Sequence, residues 1–314
     1  MDLSKFRPML AAKLEDSDFG DLTYPMYASA KIDGIRCICH PVLGPVTRTL
    51  KPIPNRFIRD YLSDPRFKWM DGEIIVNNPT ANDAFNITQS AVMSFDGEPD
   101  FRYLVFDYFE AGHRCTYSTR NEDVLAAINL AYSCVQDDYT RRVQHHMQCV
   151  IENAQDLAEF EEKCVSEGWE GIIVRSPMSY YKFGRSTLKQ QGMLKVKRVE
   201  DFEAFVVGFE PLLINDNDAY QDNLGLQKRG YSKDGKIVDD TRIGKFKVVG
   251  LNGRWKDVEF KVGSGLTDDE RRKYRRNIDR LLGKSISVKY IPAGSLEKPR
   301  APIFKGFRTQ IDFD

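Results

Sequence analysis

The chain has 314 residues, 41% hydrophobic and 29% charged, a balance that excludes a disordered or fibrous protein and fits two ordinary domains better than one. No apolar run is long enough to span a bilayer, and the opening MDLSKFRPML lacks a secretory signal, so a cytoplasmic or nuclear protein is expected. The 46 basic and 46 acidic residues cancel overall, yet from residue 221 onward 22 basic face 13 acidic, as suits a near-neutral catalytic half joined to a half that grips a polyanion.

Residues 1–200 alternate strand-like and helix-like segments. MYASAKI and IRCICH read as two strands closed into a hairpin by a tight Asp33-Gly34 turn. WMDGEIIV, YLVFDYF and EGIIVR are further β-branched and aromatic runs. Asn153 is placed to cap a helix from Ala154 to about Glu167, with Asp156 in its first turn. Leu157, Phe160 and Cys164 then share one face, and Gly168 stops the helix. Residues 201–314 change character. FEAFVVGFE, IGKFKVVG, DVEFKVG, SISVKYI and PIFKGF are short strands, interrupted by one helix from Asp268 to about Leu282, a pattern that predicts a small barrel. Within this half, 216–242 is polar and weakly patterned, and reads as a long loop or flexible hairpin. The six cysteines are dispersed without metal spacing and read as reduced, buried hydrophobes. His145-His146 lacks metal-spaced partners and reads as a surface pair.

The chemistry starts at Lys31-Ile-Asp33-Gly34-Ile-Arg36. A lysine amine is a nucleophile only when deprotonated, which calls for desolvation or cationic neighbours. Alone, K-x-D-G is a common surface turn. Behind it, in order, come Asp71-Gly72-Glu73, Phe106-Asp107, Glu170-Gly171 and Lys195-Val196-Lys197. Two carboxylates after strands suit a ribose hydroxyl or a divalent metal, and an aromatic ring suits a base. Two lysines at i and i+2 on a strand point the same way, toward a phosphate. Together these groups describe nucleotidyl transfer.

The ordered set KIDGIR, TRTLKPIPN, DGE, VFDYF, EGIIVR and LKVKR resembles the covalent nucleotidyltransferases, the polynucleotide ligases and mRNA capping enzymes. YSKDGK, VGSGLTDDERR and SLEKPRAPIFKGFR resemble the OB domain of minimal viral ATP-dependent DNA ligases. The resemblance implies an α+β nucleotidyltransferase domain over 1–200, ATP-grasp-like with antiparallel sheets. It implies an all-β OB-fold barrel over 201–314, whose segment 216–242 would be a DNA latch. The implied activity is sealing of 3′-hydroxyl/5′-phosphate nicks through a lysyl-AMP and an adenylylated DNA strand. ATP and Mg2+ would be required, with Mn2+ able to substitute. By the same resemblance Lys31 is the nucleophile. Ile32, Arg36, Arg48, Glu73, Phe106, Glu170, Lys195 and Lys197 contact the nucleotide, with Phe106 stacked on adenine and Glu73 and Glu170 serving the metal. Arg48 and Arg185 reach the nick, while Lys228, Arg229, Lys233 and Lys236 contact DNA phosphates, so that a monomer encircles nicked duplex DNA. The C-terminal RxDK motif of many relatives appears only as Arg308-Thr-Gln-Ile-Asp312, and no role follows from it. An RNA ligase or a capping guanylyltransferase is the alternative within the superfamily. A binding protein that kept the architecture is the alternative outside enzymes.

Overall fold

The computed structural model describes residues 3–110, 114–133, 142–222, 225–229, 236–292 and 294–308. The chain forms two compact units, Met1–Lys197 and Arg198–Asp314.

Two five-stranded sheets organise the first unit. One runs in the order Ala12–Lys13, Leu194–Lys197, Gly171–Arg175, Met26–Ala30, Cys149–Ile151. The other runs Gly44–Thr47, Ile35–His40, Met70–Val76, Phe101–Tyr108, Val143–His145. The pairings are antiparallel except at one edge of each sheet, where Ala12–Lys13 and Val143–His145 join in parallel, so the sheets are mixed rather than purely antiparallel. Helix Ala154–Ser166 covers the first sheet. Asn153 accepts the Asp156 N–H, Leu157 and Cys164 are buried, and Gly168 at φ +91° ends the helix. Ile58, Leu62, Val92, Val124 and Ile128, from three other helices, pack on the second sheet in a separate core.

The expected hairpin at Asp33-Gly34 does not form. Met26–Ala30 belongs to the first sheet and Ile35–His40 to the second, so 31–34 is a crossing between sheets. Its glycine serves close approach rather than a turn. A Cβ on Gly34 would lie 2.2 Å from the Ile74 carbonyl oxygen. The crossing puts Lys31 in the gap where the sheets converge, with Ile32 buried against Ile75, Ala84 and Leu104.

The second unit is a five-stranded antiparallel sheet in the order Glu259–Val262, Lys236–Gly250, Glu200–Asn215, Ser285–Ile291, Arg300–Phe307. A bridge from Ser264 to Ile303 links its two ends, as a barrel requires. Phe246, Val248, Trp255, Phe260, Ile286, Val288 and Phe304 fill the inside. The single expected helix is two, Asp268–Arg276 and Ile278–Leu281, divided at Asn277, and the first carries a Thr267/Glu270 capping box. Segment 236–242 is not loop, because the two longest strands stay paired out to Asn215 and Lys236. Beyond that point Ala219–Gln221 pairs with Gln227–Arg229 in a small hairpin. Of the cysteines, Cys37, Cys39 and Cys164 are buried, Cys149 is exposed, and Cys134 lies outside the described residues.

Candidate active site

Lys31 follows directly on strand Met26–Ala30, and its N–H donates to the Gly171 carbonyl at 2.8 Å, which sets it beside Glu170. Its Nζ donates to Glu170 Oε2, and Lys197 Nζ donates to Glu170 Oε1 at 2.7 Å. The carboxylate is 3% exposed and therefore lies between two ammonium groups in a poorly solvated place. Burial would raise the Glu170 carboxyl, but Lys31 and Lys197 overcome it and hold it at about 2. Lys31 moves the other way from the sequence expectation. Burial alone would lower its amine, yet Glu170, Glu73 and Asp33 outweigh burial and raise it. The carboxylates around Lys31 thus outweigh any activation by cationic neighbours. Lys195 shares the strand Leu194–Lys197, and its amine is the depressed one, by burial first and then by Lys197, Lys31 and Arg185.

Glu73 sits within strand Met70–Val76, opposite Arg36 in the register, and not after the strand as expected. Burial pushes its carboxyl up to about 7, against the pull of Lys31 and Arg36 and with the push of Asp71 and Glu170. Asp71, two residues earlier on the same strand face, takes a bidentate bond from Arg36 at 2.8 and 2.6 Å. It also accepts the Tyr181 hydroxyl at 2.8 Å, while Arg36 reaches the Met9 carbonyl at 2.6 Å. Phe106 carries the Arg36 guanidinium 5.4 Å from its ring centroid and that of Arg175 at 5.2 Å. Arg175 in turn pairs with Asp107 at 2.6 Å, and Arg120 pairs with the same carboxylate at 2.7 Å.

The remaining expected residues are more scattered. Ile32 presents its side chain to the core, so any nucleotide contact there is through its backbone. Arg48 is exposed just past strand Gly44–Thr47 and is not tied to the Lys31 cluster. Arg185 holds the Ala11 carbonyl at 2.7 Å on a two-residue strand paired with Met9–Leu10. In the second unit Lys228 is ion-paired to the buried Asp222 at 2.6 Å, and Arg229 donates to the Asn217 carbonyl. Lys236 begins the strand Lys236–Gly250, and Lys233 lies outside the described residues.

The ATP dependent DNA ligase domain family matches residues 8–197, a span that holds every member of this cluster. The chain belongs to the ATP-dependent DNA ligases. Residues 240–308 match the DNA ligase OB-like domain. A crystal structure of chlorella virus DNA ligase-adenylate is 29% identical, with 96% of this chain and 99% of that one covered and a TM-score of 0.54. A second crystal structure of that ligase-adenylate is 31% identical over 98% and 100% of the two chains, again at 0.54. A Lig E DNA ligase shares the fold at 22% identity, 96% and 99% coverage and a TM-score of 0.66. No curated protein matches the chain. The activity is ATP-dependent DNA ligation through an adenylate intermediate, which leaves the RNA ligase, capping and non-catalytic alternatives aside.

Several residues of this cluster escaped the sequence reading. Asp71 was legible in principle, because a carboxylate two before Glu73 on a strand shares its face. Arg175 closes EGIIVR but reads as an ordinary strand-end cation until Asp107 is seen across from it. His146, expected at the surface, is half-buried: its ring bonds the Ala30 carbonyl, and desolvation lowers it to about 4. Among the described residues no cluster of three or more His, Cys, Asp or Glu could by itself hold a metal ion. Glu73 and Glu170 are nevertheless hard oxygen donors, and no hydrogen bond is among the causes that shift the Glu73 carboxyl. A carboxylate raised by burial and by two other carboxylates fits a divalent cation that phosphate oxygens would help to ligate. Among the described residues no helix is long and apolar enough to cross a membrane.

Proposed function

We propose that Lys31 carries the adenylate of this ligase, and that the ion pair of its amine with Glu170 carries the reading. In the first step Lys31 Nζ bonds to the ATP α-phosphorus as the bond to the β-phosphate oxygen breaks and pyrophosphate leaves. Glu170 and Glu73 favour the charged amine, so Lys31 becomes nucleophilic only once its proton passes to water, a loss made easier as the two carboxylates are drawn off it. Glu73 and Glu170 would hold Mg2+, with Mn2+ as a substitute, which when bound supplies charge neutralisation to the phosphates and lowers the pull of both carboxylates on the amine. Lys195 and Lys197 point from one strand face toward the α-phosphate, Phe106 stacks on adenine, and Glu73 also takes the ribose. Arg36, Arg48 and Arg185 contact the 5′-phosphate side of the nick. Lys228, Arg229, Lys233 and Lys236 in 216–242 grip the phosphates of duplex DNA encircled by a monomer. Incubation with ATP and Mg2+ should add one AMP to the intact mass of the wild-type chain and none to Lys31→Ala. A persistent adduct in that variant would show that another residue is the nucleophile.

A further inference from the structure

The two sheets of the first unit meet at the site, and one side chain stitches them there. His146 follows strand Val143–His145, and its backbone N–H donates to the Val105 carbonyl at 2.8 Å. Its ring Nε2 lies 2.7 Å from the Ala30 carbonyl oxygen. A carbonyl only accepts, so Nε2 carries the proton and the tautomer is fixed. Val105 precedes Phe106 on a strand of the second sheet, and Ala30 precedes Lys31 on a strand of the first. One residue therefore spans, by its backbone and its ring, from the neighbour of the adenine platform to the neighbour of the nucleophile. Burial keeps the ring neutral at about 4, so this donor does not change through the neutral range.

A second tie runs parallel to it. Arg175 ends strand Gly171–Arg175 of the first sheet and pairs with Asp107 of the second at 2.6 Å, the residue after Phe106. Arg175 and Asp107 are 2% and 0% exposed at their side chains, so this tie holds the sheets as a whole. His146 is the tie that reaches the nucleophile strand itself. Loss of its ring bond leaves the Ala30 carbonyl without that donor and removes the restraint that ties this strand end to the second sheet, while the Lys31 N–H keeps its bond to the Gly171 carbonyl within the first.

We propose that His146 is a positioning residue for enzyme adenylylation, holding the Lys31 strand end at a set distance from the Phe106 platform. The inference rests on the assignment of Lys31 as the nucleophile. A displacement of about 1 Å in a near-attack geometry is enough for roughly a 100-fold loss. His146→Ala should therefore form the lysyl-AMP roughly 10- to 100-fold more slowly at saturating ATP, with a smaller change in KM for ATP. His146→Gln, whose amide N–H can still reach a carbonyl, should recover much of that rate. Sealing of a nick already bearing the 5′-adenylate needs no attack by Lys31 and should stay near wild type in both variants. A parallel loss in that reaction, or equal losses in Ala and Gln variants tracking a fall in melting temperature, would make His146 merely structural and overturn the proposal. Wild-type adenylylation in His146→Ala would overturn it as well. Adenylate formation by Lys31→Ala would instead remove the reading beneath it.

Discussion

Glu73 and Glu170 show how one pocket sets two carboxyls apart. Glu170 is held at about 2 by its two lysines, and Glu73 is pushed up to about 7 by burial beside other carboxylates. The signs of their linkage to stability are opposite. Glu170 contributes stability that is complete above its ordinary value near 4.5 and is lost as pH falls toward about 2. Glu73 binds its proton more tightly when folded, so its charged form costs stability as pH rises from near 4.5 to about 7. Glu73→Gln should therefore be more stable than wild type at pH 8, by on the order of 2 kcal/mol, and the gap should close near pH 4. The same change should lower lysyl-AMP formation and flatten its rise with pH through about 7, if the ionised carboxylate serves metal and ribose. A melting difference independent of pH, measured by scanning calorimetry, would contradict the buried charge. Lys31 stood out in the chain because five further motifs follow it in order. Its protonation did not, since it depends on Glu170, 139 residues away.

At the level of elements, the helix at 154–166 was readable because its cap, apolar face and stop are all local. The crossing at 31–34 was misread for the converse reason. An Asp-Gly pair between two strand-like runs carries a local turn signal, while the choice of sheet is made by Ile74 and Gly171, far along the chain. Gly171 makes the point testable. It pairs with Lys197 in the ladder at φ +146°, and a Cβ there would lie 2.2 Å from the Val196 carbonyl oxygen. Gly171→Ala must push apart the two strands that bring Glu170 to Lys197. The expected loss is roughly 2–4 kcal/mol, with a matching drop in adenylate formed. Gly20→Ala is the control, since nothing lies within 4 Å of its Cβ position, and it should leave both melting and adenylylation unchanged. Equal melting temperatures for the two variants would show that the ladder yields at no cost.

At the scale of the molecule, the reaction divides into a nucleotide step and a DNA step, and the chain divides into two units. The Lys31 cluster lies wholly within 8–197, so forming the adenylate should not need the hairpin region of the second unit. The basic excess after residue 221 has a different task in the proposed latch, and much of it is already engaged. Arg271 bonds the carbonyls of Ile243, Gly244 and Gly263, and Lys228 pairs with Asp222. Those cations already serve the fold, so the net charge after residue 221 is not a count of cations open to DNA. The long strands are still paired at Asn215 and Lys236, so an Asn-Gly turn joined there in place of 216–235 should close the ladder without disturbing the barrel core. Such a shortened ligase should charge itself with AMP at the wild-type rate. Its affinity for nicked duplex should fall about tenfold or more, and the slope of log affinity against log salt should shrink by about 0.9 for each DNA phosphate that is no longer neutralised. Sealing at low salt would then survive better than sealing at physiological salt, because the remaining cations compete with fewer counterions. A shortened chain that binds and seals nicked DNA like wild type at both salt concentrations would remove the latch from the mechanism.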